Sequence, residues 1–274
     1  EVLPLPDKPS IAVLPFENMT GDPKQEYFTD GFTEQIITSL SKISSLFVIS
    51  RNSSFTYKGK PVKVQKVGKE LGVRYVLEGS IQKSGDRVRI NAQLIDAISD
   101  QHLWAENYDR SMKDVFALQD EITLKILTAL QVNLTSGEQT RVWAKGTKNL
   151  EAYLKLMQAR ESIIKGDEAG TARARQLIEE TIALDPQYAQ AFMYMGGTHI
   201  QDFLAGSGKS PKESLAQAIE WTKKALDMDD SLAEAHARLG HLYTFVNRHE
   251  EAIVEAEKAM AMDPNSAAVH YMAC

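Results

Sequence analysis

A chain of 274 residues with 43% hydrophobic and 25% charged content can bury a sizeable core and suits one to three soluble domains. Its net charge of −6 argues against a nucleic-acid surface, which calls for a basic face, and its single cysteine, Cys274, excludes an intrachain disulfide framework and a cysteine-based metal site. No run approaches about 18 apolar residues, and the opening EVLPLPDKPS is neither basic nor apolar enough for a signal peptide, so no membrane span is expected and the expected location is cytoplasmic.

The elements are read in chain order. Residues 1–9 are a Pro-rich extended lead-in, and with no initiator Met they read as a linker at the start of an excised piece of a longer protein. Ser10–Phe16 is a short apolar run that predicts a buried strand. Glu17–Lys24 reads as a loop, with Asp22-Pro23 starting a helix. Phe28, Phe32, Ile36, Leu40 and Ile43 recur every three or four positions and predict one helix over Glu26–Ile43. Leu46–Ser50 predicts a second strand, Tyr57–Lys60 a turn, and Val62–Leu71 a second helix ended by Gly72. Arg74–Gln82, Arg87–Asp96 and His102–Tyr108 predict three antiparallel strands, with turns at Ser84-Gly85-Asp86 and Ser99-Asp100. Asp114–Leu134 predicts a long closing helix. The order βαβαβββα over residues 10–134 predicts an α/β domain with a mixed sheet and flanking helices. Residues 135–149 are polar and read as a linker or a helix extension.

Residues 150–274 read as all helical. The phrases TIALD, ALDMD and AMAMD recur, their aspartates Asp185, Asp229 and Asp263 standing 44 and then 34 residues apart. From Ala233 to Pro264, Leu239, Gly240, Tyr243, Ala252, Ala256 and Ala259 describe two amphipathic helices joined near Asn247, with Gly240 and Ala252 permitting close approach. This pattern resembles a tetratricopeptide repeat (TPR), a 34-residue helical hairpin. It implies an all-α solenoid of about three hairpins plus the start of a fourth, with GSGKSPKES as an insertion in the middle one.

Few candidates for chemistry stand out. Gly206-Ser207-Gly208-Lys209-Ser210 resembles the end of a phosphate-binding loop, but Phe203 stands where the first glycine belongs and a helix, not a strand, precedes it. His236 and His241 are five apart, not the four a helical metal pair wants, so no metal site and no cofactor is expected. In a repeat hairpin the first helix lines the concave surface. That places Gln190, Met193, Gly197, Ile200 and Gln201 of one hairpin and Glu234, Ala237, His241, Thr244 and Phe245 of the next on a groove for a protein or peptide partner, or on a scaffold face packed against other parts of the protein.

The phrases IAVLPFEN, the EYFTDGFTE helix start, RNSSFTYKGK, ELGVRYVLEGS and RVRINAQLID followed by LWAENYDR together resemble the TolB amino-terminal-like domain over about residues 8–134. Its pairing with tetratricopeptide repeats is similar to the C-terminal part of bacterial class III adenylate/guanylate cyclases. The same pair follows winged-helix domains in some transcriptional regulators, and TolB-like envelope assembly factors are a third possibility. The cyclase resemblance implies a regulatory or protein-interaction region with no catalytic residue of its own, attached to an upstream catalytic or DNA-binding domain. Asn18, Thr20, Gly21 and Asp22 follow the first strand, where open α/β sheets place ligands, and form a candidate ligand loop.

Overall fold

The computed structural model describes residues 5–134, 146–207 and 210–273. The chain divides into two compact units, Glu1–Trp143 with Asn265–Ala267 and Ala144–Pro264 with Ala268–Cys274.

The first unit is a mixed α/β sheet with flanking helices. Its strands are β1 (Ser10–Val13), β2 (Glu17–Asn18), β3 (Phe47–Val48), β4 (Tyr75–Ser84), β5 (Arg87–Asp96) and β6 (Gln101–Ser111). Its helices are α1 (Glu26–Ser41), α2 (Arg51–Phe55), α3 (Val64–Leu71) and α4 (Val115–Ala129). The sheet order is β3-β1-β4-β5-β6, with β2 also beside β4. Pairing is parallel among β3, β1, β2 and β4 and antiparallel from β4 through β6.

Several expectations shift. β1 stops at Val13 rather than Phe16, just before Leu14 and Pro15, the latter having no N–H to give a ladder. The expected loop contains β2, which exists only because Glu17 and Asn18 find Ser80 and Ile81 on β4. A short helix, α2, follows β3, started by Ser50, whose hydroxyl accepts the Ser53 N–H. The closing helix ends at Ala129 rather than Leu134, with Gln131 at φ 55° beyond its end. Gly72 ends α3 as expected, at φ 64° where a side chain would strain the backbone. The linker residues 135–145 lie outside the described residues.

Both faces of the sheet are built by strand alternation. On one face Val13, Leu77 and Leu94 stand in line across three strands and are buried with Phe28, Phe32, Ile36 and Leu40 of α1 and Leu118, Ile122 and Ile126 of α4. Phe16 joins them, its ring 5.8 Å from Phe32 and its N–H donating to Thr33 Oγ1. On the other face Ala12, Val76 and Ile95 pack under Val64 and Val67 of α3. Asp96 ends β5 and holds the next turn by accepting N–H bonds from Ile98 (2.9 Å) and Ser99 (3.3 Å), with Arg74 Nε at 2.9 Å.

The second unit is helical. Consecutive helices pack in pairs: α5 (Leu150–Ile164) with α6 (Glu168–Leu184), α7 (Ala189–Ala205) with α8 (Pro211–Met228), and α9 (Ala233–Phe245) with α10 (His249–Met262). A further helix, α11 (Ala267–Ala273), follows. Small residues set the spacing. A Cβ on Gly240 would lie 2.9 Å from the Ala252 carbonyl oxygen, and one on Gly196 would lie 2.7 Å from Thr222 Oγ1. Asn247 turns the chain between α9 and α10 at φ 59°. The recurring aspartates share one position, just past a helix end. Each follows the last helical residue; Asp185 and Asp229 do so in extended backbone, φ −144° and −149°, whereas Asp263 has φ −136° with ψ 76°, outside the extended region. Asp185 and Asp229 accept the N–H two residues on, from Gln187 and Ser231, each at 3.0 Å.

Candidate functional site

The α3 cover ends part-way along the sheet. On the face where Val76 and Ile95 are buried, the next positions on β4 are Glu78 and Ser80, and on β5 they are Gln93 and Asn91. Asn107 of β6 stands opposite Asn91. This polar stretch floors a cleft of about 630 Å³, with Leu14, Pro15 and Glu17 on one side and Tyr57–Val62, between α2 and α3, as a wall. The wall turns at Gly59, φ 68°. Tyr57 is fixed by donating its hydroxyl to Glu70 Oε2 at 2.6 Å; burial, with that carboxylate beside it, pushes the phenol up to about 12.

The floor is only partly self-satisfied. Gln93 Nε2 donates to Glu78 Oε1 at 2.5 Å, and Asn91 Nδ2 donates to Ser80 Oγ at 3.0 Å. Among the described residues the side chains of Glu17, Lys60 and Asn107 make no hydrogen bond or ion pair. At the far rim Glu106 is neutralised by Lys125 at 2.7 Å. The sequence offered little signal: the open positions of β4 and β5 carry Glu, Ser, Asn and Gln, types that are mostly solvated in any strand. What was missing was the joining of five separate segments.

The candidate loop beside this cleft has a different character. Asn18 Nδ2 donates to the Asp22 carbonyl (2.9 Å) and to Glu26 Oε1 (3.0 Å). Thr20 gives both its N–H and its hydroxyl to Asn18 Oδ1, and Thr20 Oγ1 accepts the Asp22 N–H. Asp22 Oδ1 accepts the Lys24 N–H. Gly21 turns the chain at φ 75°. These polar groups are occupied with one another, holding the entry to α1, and the cleft reaches this segment at Glu17 rather than at Asn18–Asp22.

In the helical unit the predicted groove residues separate into two sets. Met193 is buried with Phe192, Ala225 and Ala235, and Ala237 with Ala233, Ala259 and Val269. Ile200 packs on Leu215 and Leu242, and Gln201 joins helices by donating to the Ile163 carbonyl and accepting from Thr171 Oγ1. Gly197 is covered by Arg238, whose Nη1 would lie 2.6 Å from an added Cβ and whose Nη2 is paired with Glu234 at 2.9 Å. Gln190, Glu234, His241, Thr244 and Phe245 keep accessible surface. His241 lies 5.0 Å from the Phe245 ring; burial and the nearby Arg238 charge hold its imidazole below the ordinary histidine range.

The glycine-rich segment is preceded by α7, capped by Gly206 at φ 65°; Gly208 and Lys209 lie outside the described residues. Among the described residues no group of three or more His, Cys, Asp or Glu is placed to hold a metal ion, and no helix is long and apolar enough to cross a membrane.

The molecule is thus a mixed α/β unit carrying a polar cleft, followed by a unit of paired helices. A family model described as the second domain of HilA/YgeH-like transcriptional regulators matches residues 7–125. A protein of Rhizobium meliloti (strain 1021) named "Putative adenylate cyclase 3" is 47% identical over 248 residues, covering 90% of this chain and 42% of its own length. The chain therefore spans less than half of that relative. Two solved structures are similar to part of the chain: TolB from Acinetobacter baumannii (TM-score 0.36, 21% identity, 50% of this chain and 32% of that one) and a lipoprotein from Neisseria meningitidis (TM-score 0.34, 18% identity, 44% of this chain and 99% of that one).

Proposed function

We propose that this chain is a non-catalytic regulatory and protein-interaction region of a bacterial signalling protein of the adenylate cyclase kind, acting in cAMP signalling in the cytoplasm. One observation carries the reading. The 47% identity to the relative named as a cyclase runs over 248 residues, through both the α/β unit and the paired helices. Catalysis is assigned to the part of such a protein that this chain does not span. The paired helices are read as tetratricopeptide repeats, supported by the 34-residue step from Asp229 to Asp263, the small residues at the helix contacts and the turn that Asp185 and Asp229 have in common. Their accessible face, with Gln190, Glu234, His241, Thr244 and Phe245, takes a protein or peptide partner. Partner binding then favours one arrangement of the whole enzyme over another.

The test is cAMP production by the full-length gene product against the same protein lacking residues 150–274. A several-fold change in basal activity, or the loss of a partner response, is expected. Equal activity and an equal partner response would sink the regulatory reading. A second reading, the accessory region of a winged-helix transcriptional regulator, is favoured by the match over residues 7–125. Retardation of promoter DNA by the full-length product, with no cAMP formed, would select it.

A further inference from the structure

We propose that the cleft over β4–β6 binds a neutral, hydroxyl-rich small molecule of mono- to disaccharide size. Nothing in the cyclase reading requires this, and the cleft belongs to the α/β unit alone. Its volume of about 630 Å³ falls within the range of small-molecule sites. The chemistry of its lining narrows the class.

Polar groups without a protein partner among the described residues converge there. Glu17 and Asn107 make no side-chain hydrogen bond among the described residues, and Glu78 engages Gln93 through one carboxylate oxygen, leaving the other. Asn91 donates to Ser80 and keeps its carbonyl oxygen. The free groups therefore mix acceptors, from the carboxylates and the amide oxygens, with donors, from the Asn107 amide, the second Gln93 amide hydrogen and the Ser80 hydroxyl. A ligand that both donates and accepts at neighbouring atoms matches this set. Vicinal hydroxyls do so, a carboxylate accepting hydrogen bonds from two of them while amides donate to their oxygens.

Charge excludes the main competitors. A phosphate or carboxylate ligand would meet Glu17 and Glu78 with Lys60 as the sole facing cation among the described lining residues, and with none of the arginine forks that such anions call for. A polyamine would satisfy the carboxylates but leave the donors of Asn107 and Gln93 facing ammonium groups. The Tyr57–Val62 wall adds an aromatic ring, a proline and a valine, an apolar surface suited to the C–H face of a sugar ring.

The test uses the whole 274-residue chain in titration calorimetry, with glucose, sucrose and trehalose as neutral probes, glucose 6-phosphate as the anionic probe and spermidine as the cationic one. At least one neutral sugar is expected to bind with a Kd of about 1 mM or tighter. Asn91→Leu and Asn107→Leu, at exposed strand positions, should each weaken it about tenfold, as loss of one hydrogen bond implies. Both variants should keep the parent's circular dichroism and melting temperature, and either one that folds suffices. Tighter binding of glucose 6-phosphate or spermidine, an unchanged affinity in a folded variant, or no heat from any neutral sugar would overturn the proposal.

Discussion

Gly79 lies in β4 opposite Ala92, where the strand passes directly over Phe16. A Cβ added there would sit 2.0 Å from Phe16 Cε1 and 2.2 Å from the Asn91 carbonyl oxygen. Ordinary carbon contacts lie at about 3.5–4.0 Å, so the ring would have to retreat by roughly 1.5 Å. It has nowhere to go. Phe16 is 1% exposed, and its ring packs on Phe32, itself fully buried and 6.5 Å from Phe28. Asn91 is no freer, since its backbone is held by β4 on one side and β6 on the other. Gly79→Ala should therefore cost about 3 kcal/mol, the upper end of the overpacking range, rather than give the small gain that Gly→Ala brings where space exists. For a unit of this size that corresponds to roughly 10 °C in Tm. Because the chain has two units, the assay should be local. Hydrogen exchange of peptides from β4 and β5 should accelerate strongly while peptides from α7 and α8 keep their protection. A variant with parental protection in β4 and β5 would refute the packing argument.

Two further outcomes follow from the same structure. Gly240→Ala adds a methyl 2.9 Å from the Ala252 carbonyl oxygen, a clash that offsets the intrinsic helix gain of about 1 kcal/mol, so it should be close to neutral. Gly240→Val should cost about 1–3 kcal/mol, read as lost exchange protection in α9 and α10 alone; equal protection in the two variants would show that the helices are not closely apposed. Burial alone would raise the Asp96 carboxyl, but the Ile98 N–H, the Arg74 side chain and the Ser99 N–H together hold it below the usual carboxylate range. A depressed pKa contributes stability above the unfolded value of about 3.9, and that stability is lost as pH falls through the folded value. Asp96→Asn should thus cost about 1–2 kcal/mol at neutral pH, and the penalty should shrink as pH falls through the acid range; a penalty independent of pH would remove the ionised carboxylate from the account.

The features legible in the sequence are those with local causes. β5 lies at the predicted Arg87–Asp96 because alternation over ten residues can be read without knowing the partner. Gly72 and Asn247 mark chain turns that depend on their own backbone. Misplaced boundaries have non-local or very short causes. β2 needs β4, some sixty residues away in sequence, and α2 is a single capped turn too brief for periodicity to show. The fall of α4 short of Leu134 was hidden because Leu130 and Leu134 continue the apolar spacing past its last turn. Glu17, Glu78, Asn91 and Asn107 each looked like an ordinary solvated position. They become a candidate site only when the parallel and antiparallel halves of one sheet bring them together.

The sheet ends at β6, and eleven residues of its outer border are paired with no other strand among the described residues. Such a border invites a neighbouring molecule to add a strand. The charges along it answer that risk. Asp109 is tied to Arg87 and Arg89, Arg110 faces Glu121 at 3.7 Å, and Lys125 leans onto Glu106. A second chain docking there would have to strip water from these ionic groups while meeting like charges in its own copy. Pairs that add little to folding stability at a solvated surface thereby guard this sheet edge against misassembly. Their removal would be felt first as cloudiness in a concentrated sample, well before any change in melting temperature.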